Sequence, residues 1–158
     1  MYKKWCKTYS KGCFKLTTDS LFDRIERMNR NDMRGKVVTP ASANPWPHEQ
    51  RVAKILALAG HYVEFIPETS IKTPDIILDN TRYEIKSPIT DNPKKITRNV
   101  KRALEKCQNV IIDSSRIKGV KDSDIQRLLI NKAKDLPTLK NLIFINKRGQ
   151  IIDIMALV

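Results

Sequence analysis

The chain has 158 residues, enough for one hydrophobic core or for a core with an appendage. Its 30 Lys and Arg against 17 Asp and Glu leave a formal charge of +13, and no stretch approaches the roughly 20 apolar residues of a transmembrane helix. A helical membrane span is therefore excluded. At 41% hydrophobic residues so is a disordered polycation, and a folded basic domain acting on a polyanion is expected, nucleic acid first and an anionic membrane surface second.

Residues 1–44 read as a basic N-terminal segment with one short helix after Asp19, where Leu21, Ile25 and Met28 recur at helical spacing. Met1-Tyr2-Lys3-Lys4-Trp5-Cys6 is followed by no apolar run, so no signal peptide is expected. Cys6, Cys13 and Cys107 form no CxxC or Cys/His pattern; reduced thiols are expected, a Cys6–Cys13 bridge stays open, and zinc is disfavoured. Pro40, Pro45 and Pro47 make a linker, and the main domain is expected over 45–158.

From His48 to Ala59 the positions Val52, Ile55, Leu56 and Ala59 form a helical stripe stopped by Gly60. Three strands follow: Tyr62 to Ile66, Asp75 to Leu78, and Arg82 to Ser87 after an Asp79-Asn80 hairpin turn. A second helix over 94–107 buries Ile96, Val100, Ala103, Leu104 and Cys107. Val110 to Ile112 is a short buried strand, and Ile125, Leu128, Leu129 and Ala133 mark a third helix ended by Pro137. Leu142 to Ile145 and Ile151 to Ile154 flank the Asn146-Lys147-Arg148-Gly149 turn. The fold class is α/β, a mixed sheet with flanking helices in the order αβββαβαββ.

The chemistry lies in Pro74-Asp75 and Tyr83-Glu84-Ile85-Lys86-Ser87-Pro88. Alternation puts Glu84 and Lys86 on one sheet face, a costly arrangement in an apolar strand unless something there uses them. Phosphodiester hydrolysis needs the phosphate charge neutralised, a water activated and the leaving oxygen stabilised, and a divalent cation on carboxylates serves all three. Asp75 and Glu84 are the candidate metal ligands, with the Ile85 main-chain carbonyl completing a Mg²⁺-type set; Lys86 would orient or deprotonate the water, or hold transition-state charge. Glu49 shares the helix face of Val52 and Leu56, as a fourth catalytic residue or as a first-turn acid favoured by the helix dipole.

These residues resemble the PD-(D/E)xK nuclease superfamily, whose core is αβββαβ with an acid on the first helix. More closely, Glu49, Thr73-Pro74-Asp75-Ile76, Tyr83 to Pro88 and Gln108-Asn109-Val110-Ile111-Ile112-Asp113 look like the C-terminal tRNase domain of contact-dependent growth inhibition toxins, over about residue 45 to the end. The resemblance implies a tRNA-cleaving toxin domain with its acids on Glu49, Asp75 and Glu84 and its lysine on Lys86. It also implies a cognate immunity protein, and delivery into the cytoplasm of target cells as part of a secreted toxin.

Substrate contacts are expected on the second helix, where six cations face only Glu105 within residues 94–106; Lys94, Lys95, Arg98, Lys101 and Arg102 are the candidate nucleic-acid contacts. Ser87, Thr97 and Gln108 are candidates for substrate placement, although Thr97 and Gln108 serve equally as local backbone hydrogen-bonders. His48 and His61 read as structural or exposed, and Trp46 as packing rather than base stacking. The competing readings are a metal-dependent DNase of the same fold and a non-catalytic nucleic-acid-binding module.

Overall fold

A computed structural model describes residues 35–69 and 72–158. The helix expected after Asp19, with Trp5, Cys6 and Cys13, lies outside them. In chain order the elements are β1 (Val37–Val38), α1 (Pro47–Leu58), β2 (Val63–Phe65), β3 (Ile76–Leu78), β4 (Thr81–Lys86), α2 (Pro93–Leu104), β5 (Asn109–Asp113), α3 (Asp122–Lys134), β6 (Asn141–Ile145) and β7 (Ile151–Asp153), closed by a 3₁₀ turn at Met155–Leu157. From α1 onward the order is the expected αβββαβαββ. Val37–Val38, inside the stretch read from sequence as an appendage, pairs in parallel with Val63 and Glu64 at the sheet edge; two residues are too few to show a periodicity.

Local chemistry sets the boundaries. Pro47 opens α1 and Pro93 opens α2, where the missing N–H has no helical partner in any case. The Asn92 side chain accepts a hydrogen bond from Lys94 N (2.9 Å) and caps α2. The β3–β4 hairpin turns on Asp79 and Asn80, both at positive φ (45° and 68°), which these residues tolerate better than most.

The seven strands lie in one sheet in sequence order. Pairs β2–β3, β3–β4 and β6–β7 are antiparallel, whereas β4, β5 and β6 run parallel, joined by α2 and α3. Alternation divides the core across the sheet: Val110, Ile112, Leu142 and Phe144 pack with α2 and α3, while Ile111, Ile145, Val63 and Ile76 pack with Val52, Ala53 and Leu56 of α1. The parallel strands finish side by side at Lys86, Asp113 and Ile145. That edge, where the carboxyl ends of parallel strands meet helix starts, is where α/β sheets place ligands.

The anchoring of α1 is testable on adjacent turns of its surface. Leu56 is fully buried and Leu58 is 89% exposed, so Leu56→Ala is expected to lower unfolding free energy by about 2–5 kcal/mol in urea titration and Leu58→Ala by at most about 0.5 kcal/mol.

Candidate active site

Asp75 directly precedes β3, and its main-chain N–H donates to Tyr83 O (3.1 Å), which sets it beside β4. One carboxylate oxygen, Oδ2, accepts from Ile85 N at 2.6 Å. Glu84, in the interior of β4, is completely buried. Its Oε1 accepts from Lys86 Nζ, two residues along the same sheet face, and from Lys106 Nζ at 3.0 Å. Lys106 Nζ also stands 4.0 Å from Asp75 Oδ1, between the two acids. Glu84 Oε2 has no hydrogen-bond partner among the described residues.

Burial pushes the Asp75 carboxyl up to about 6, helped by the Glu84 charge and opposed by the Ile85 N–H. For Lys106 desolvation acts downward, but the Glu84 hydrogen bond and the charges of Glu84, Asp75 and Glu68 outweigh it and leave the ammonium raised above its ordinary value. A buried carboxylate oxygen without a donor costs about 1–3 kcal/mol or more. Two acids, two ammonium groups and an oxygen without a donor thus meet at one spot, and a donor or cation reaching that oxygen would remove its penalty.

The residues at this centre fit a hard cation better than a soft one. Among the described residues no three His, Cys, Asp or Glu side chains are grouped to hold a metal ion. The donors are two carboxylates, with the Ile85 carbonyl on the same edge of β4 as its N–H and therefore directed toward Asp75. An oxygen set of this size suits Mg²⁺, which keeps several of its waters.

Above it opens a cleft of about 310 Å³ lined by Trp46, His48 and Glu49 from the start of α1, by Asp75, Ile85, Lys86, Ser87 and Pro88, and by Glu68, Asn99 and Lys106. Glu49 Oε2 accepts from Trp46 N (2.8 Å), so this acid both caps α1 and faces the cleft. The His48 imidazole is held below its ordinary value, chiefly by desolvation, with Glu49 opposing and the Arg116 charge assisting; its Nδ1 is 3.4 Å from Arg116 Nη1. His48 therefore lies in the cleft rather than apart from it. Trp46 is 63% exposed at the cleft wall, not packed away as its place before α1 suggested.

A second polar group braces the floor. Asp113, fully buried at the end of β5, accepts from Arg51 Nη1 (2.6 Å), Ser87 Oγ (2.9 Å), Ser115 N (3.1 Å) and Ser115 Oγ (2.6 Å). With its carboxylate saturated, Asp113 ties α1 to the ends of β4 and β5 and fixes Ser87 in the cleft lining. Thr97 Oγ1 donates to Pro93 O (3.0 Å), a local helix bond, and Gln108 stands at the opposite end of β5 from Asp113; neither lines the cleft. His61 bonds Asp79 (2.6 Å) at the β3–β4 turn.

Lys94, Lys95, Arg98, Lys101 and Arg102 are all exposed. At about 100° per residue, Lys95 and Arg102 lie within about 60° of the cleft-lining Asn99, Arg98 about 100° away, and Lys94 and Lys101 on the far side. Lys106, Glu68, His48 and Asp113 were not among the sequence candidates. Asp113 had a signal in being an acid that ends a buried aliphatic strand; Lys106, beyond the end of α2, and Glu68, in the β2–β3 connection, had none.

A search of curated protein sequences finds no significant match. Among solved structures, the CdiA-CT/CdiI toxin and immunity complex from Burkholderia pseudomallei contains a chain similar in fold, with a TM-score of 0.60 at 18% identity, covering 75% of this chain and 98% of that one. The family described as contact-dependent growth inhibition CdiA C-terminal domain matches residues 72–151, just over half of the 158. That stretch carries Asp75, Glu84, Lys86 and Lys106, and the chain belongs to the CdiA C-terminal toxin domain family of contact-dependent growth inhibition.

Proposed function

We propose that this domain is a toxic metal-dependent endoribonuclease of the PD-(D/E)xK type that cleaves tRNA. The observation that carries the reading is the buried Glu84, bonded by Lys86 and Lys106, lacking a partner for Oε2 and facing an Asp75 whose carboxyl is raised to about 6. Structural ion pairs are normally closed, with each oxygen satisfied; this one leaves an oxygen unsatisfied beside a cleft that Asp75, Lys86 and Lys106 line. The preference for tRNA over DNA comes from the motif resemblance.

A divalent cation on Asp75, Glu84 and the Ile85 carbonyl would neutralise the scissile phosphate and acidify a bound water. Glu84 holds the Lys86 ammonium in the cleft, where it orients the attacking water and balances charge on the phosphate. Water adds to phosphorus and gives up one proton to solvent, the P–O bond to the leaving oxygen breaks, and that oxygen takes a proton from solvent, leaving a phosphomonoester end and a free hydroxyl. Glu49 and His48 close the side opposite α2, while Lys95, Arg102 and Arg98 receive flanking phosphates. Lys106 screens the two acids from each other, a role that a bound cation would take over.

The solved neighbour was determined as a toxin and immunity complex, which supports a cognate immunity protein as partner here. Family membership supports delivery into target cells, with action on RNA in their cytoplasm. No helix among the described residues is long and apolar enough to cross a membrane.

Incubation of total tRNA and of plasmid with Mg²⁺ or with EDTA tests the reading: tRNA is cut only with the metal, and Asp75→Ala or Lys86→Ala lowers the rate by about 10²-fold or more with RNA affinity retained. Full cleavage and toxicity in either variant overturns the mechanism. Cleavage of plasmid and not tRNA moves the substrate to DNA.

The raised Asp75 carboxyl also has a consequence for stability. Protonation of the folded protein is favoured between the ordinary 3.8 and about 6, so the contribution of Asp75 is full below pH about 4, is lost as pH rises through about 6, and amounts to a deficit of about 3 kcal/mol at pH 7.5. Without metal, Asp75→Asn is expected to be the more stable protein at pH 7.5 by up to that amount, with the gap closing at pH 4. Mg²⁺ should raise the midpoint of the wild type and not of the variant. Urea titrations at the two pH values decide it, and a variant less stable than wild type at pH 7.5 contradicts the assignment.

A further inference from the structure

The first turn of α1 has two sides. His48 and Glu49 face the cleavage cleft, whereas Pro47, Gln50, Arg51, Lys54 and Ile55 form one wall of a second cleft of about 600 Å³, with Lys147, Arg148 and Gly149 of the β6–β7 turn as the other wall. Every charged residue lining this second cleft is positive. Gly149, at φ +80°, makes the turn; a Cβ there would already touch the Ile55 side chain at 3.5 Å, so the walls are set close by backbone geometry.

The cations differ in what they have left to give. Arg51 is committed to Asp113 and to the Lys147 carbonyl (3.3 Å), and Lys147 reaches the Val120 carbonyl. Lys54 and Arg148, both exposed, form no ion pair with any described residue. Arg51 thus holds the cleft rigid while two free cations on opposite walls offer their charge to a ligand. The apolar lining is limited to Ile55 and Pro47, far from the aromatic and aliphatic centre that a protein partner would bury. Polyanion chemistry fits better than an acidic polypeptide.

We infer that this cleft is a second anion site that holds the phosphodiester backbone of the substrate away from the bond being cut. The inference rests on the nuclease reading above and extends it to how a long RNA is gripped. The two clefts adjoin at the first turn of α1, and even a whole helix, about 10 Å across, is spanned by about three nucleotides at ~3.4 Å rise. A strand leaving the cleavage cleft over the start of α1 meets Lys54 and Arg148 next.

The test compares Lys54→Ala/Arg148→Ala with a control pair, Lys134→Ala/Lys140→Ala, which removes the same charge beside the opposite end of β6. Binding of fluorescent bulk tRNA is read by anisotropy between about 50 and 200 mM salt, in the Lys86→Ala background with EDTA so that the probe stays intact. The Lys54/Arg148 pair is expected to weaken binding roughly tenfold and to lower the salt slope by about 1.5, with the control pair well short of both. In the cleaving protein the same pair raises KM.

Binding and salt slope no different from those of the control pair overturn the inference, and leave the nuclease reading intact if tRNA is still cut. If no nucleic acid is cut with any metal, yet the Lys54/Arg148 pair still loses affinity and slope, the nuclease reading fails and the anion site stands. A loss seen with poly-glutamate and not with tRNA assigns the cleft to an acidic polypeptide and also overturns the inference.

Discussion

Glu84 is a carboxylate at the centre of a sheet with no exposure to water, and the site depends on how its charge is held. An isolated ion at that position would cost many kcal/mol, so the strand tolerates it only with compensating cations. Lys86 supplies one because strand alternation returns it to the same face, and Lys106 supplies the second because α2 crosses back over β4 to reach β5. Asp75 adds a second acid at the point where β3 begins, so two ammonium groups serve two carboxylates while Glu84 Oε2 is left without a donor among the described residues. That unsatisfied oxygen is the feature on which the proposed cation site rests.

The polar groups around that oxygen are, by contrast, kept saturated by the scaffold. Asp113 meets four donors, and through Arg51 and Ser87 it locks α1, β4 and β5 at the edge where the cleft opens. Glu49 is engaged in capping α1. Flexibility in these supports would let Lys86 or a solvent molecule satisfy Glu84 fully and close the centre. The contrast between a saturated Asp113 and an unsaturated Glu84, one strand apart, is what makes Glu84 the candidate functional acid and Asp113 a brace.

Much of the fold was legible because it is written in short-range pattern. Val52 and Leu56 on a helical stripe, the Asp79-Asn80 turn, and the aliphatic run of β5 each specify an element within a few residues, and Glu84 and Lys86 meet by a period of two. The proximity of Asp75 to Glu84 follows from a tight hairpin and was equally readable. Lys106 was not, since its place depends on where α2 lands on the sheet; composition alone put it among surface cations. His48 and Trp46 were read by their neighbours in sequence, whereas the packing of α1 across the sheet edge decides that both line the cleft. Glu68 reaches the site from a connection with no periodicity.

The proposed cation site is Asp75 with Glu84, where Lys106 now stands. Anomalous diffraction from crystals soaked in Mn²⁺, a hard divalent ion with oxygen preferences like those of Mg²⁺, tests it directly. A peak in contact with both carboxylates is expected, with Lys106 Nζ displaced from between them. A map without such a peak, or a peak bound elsewhere while Lys106 stays on Glu84, would contradict it.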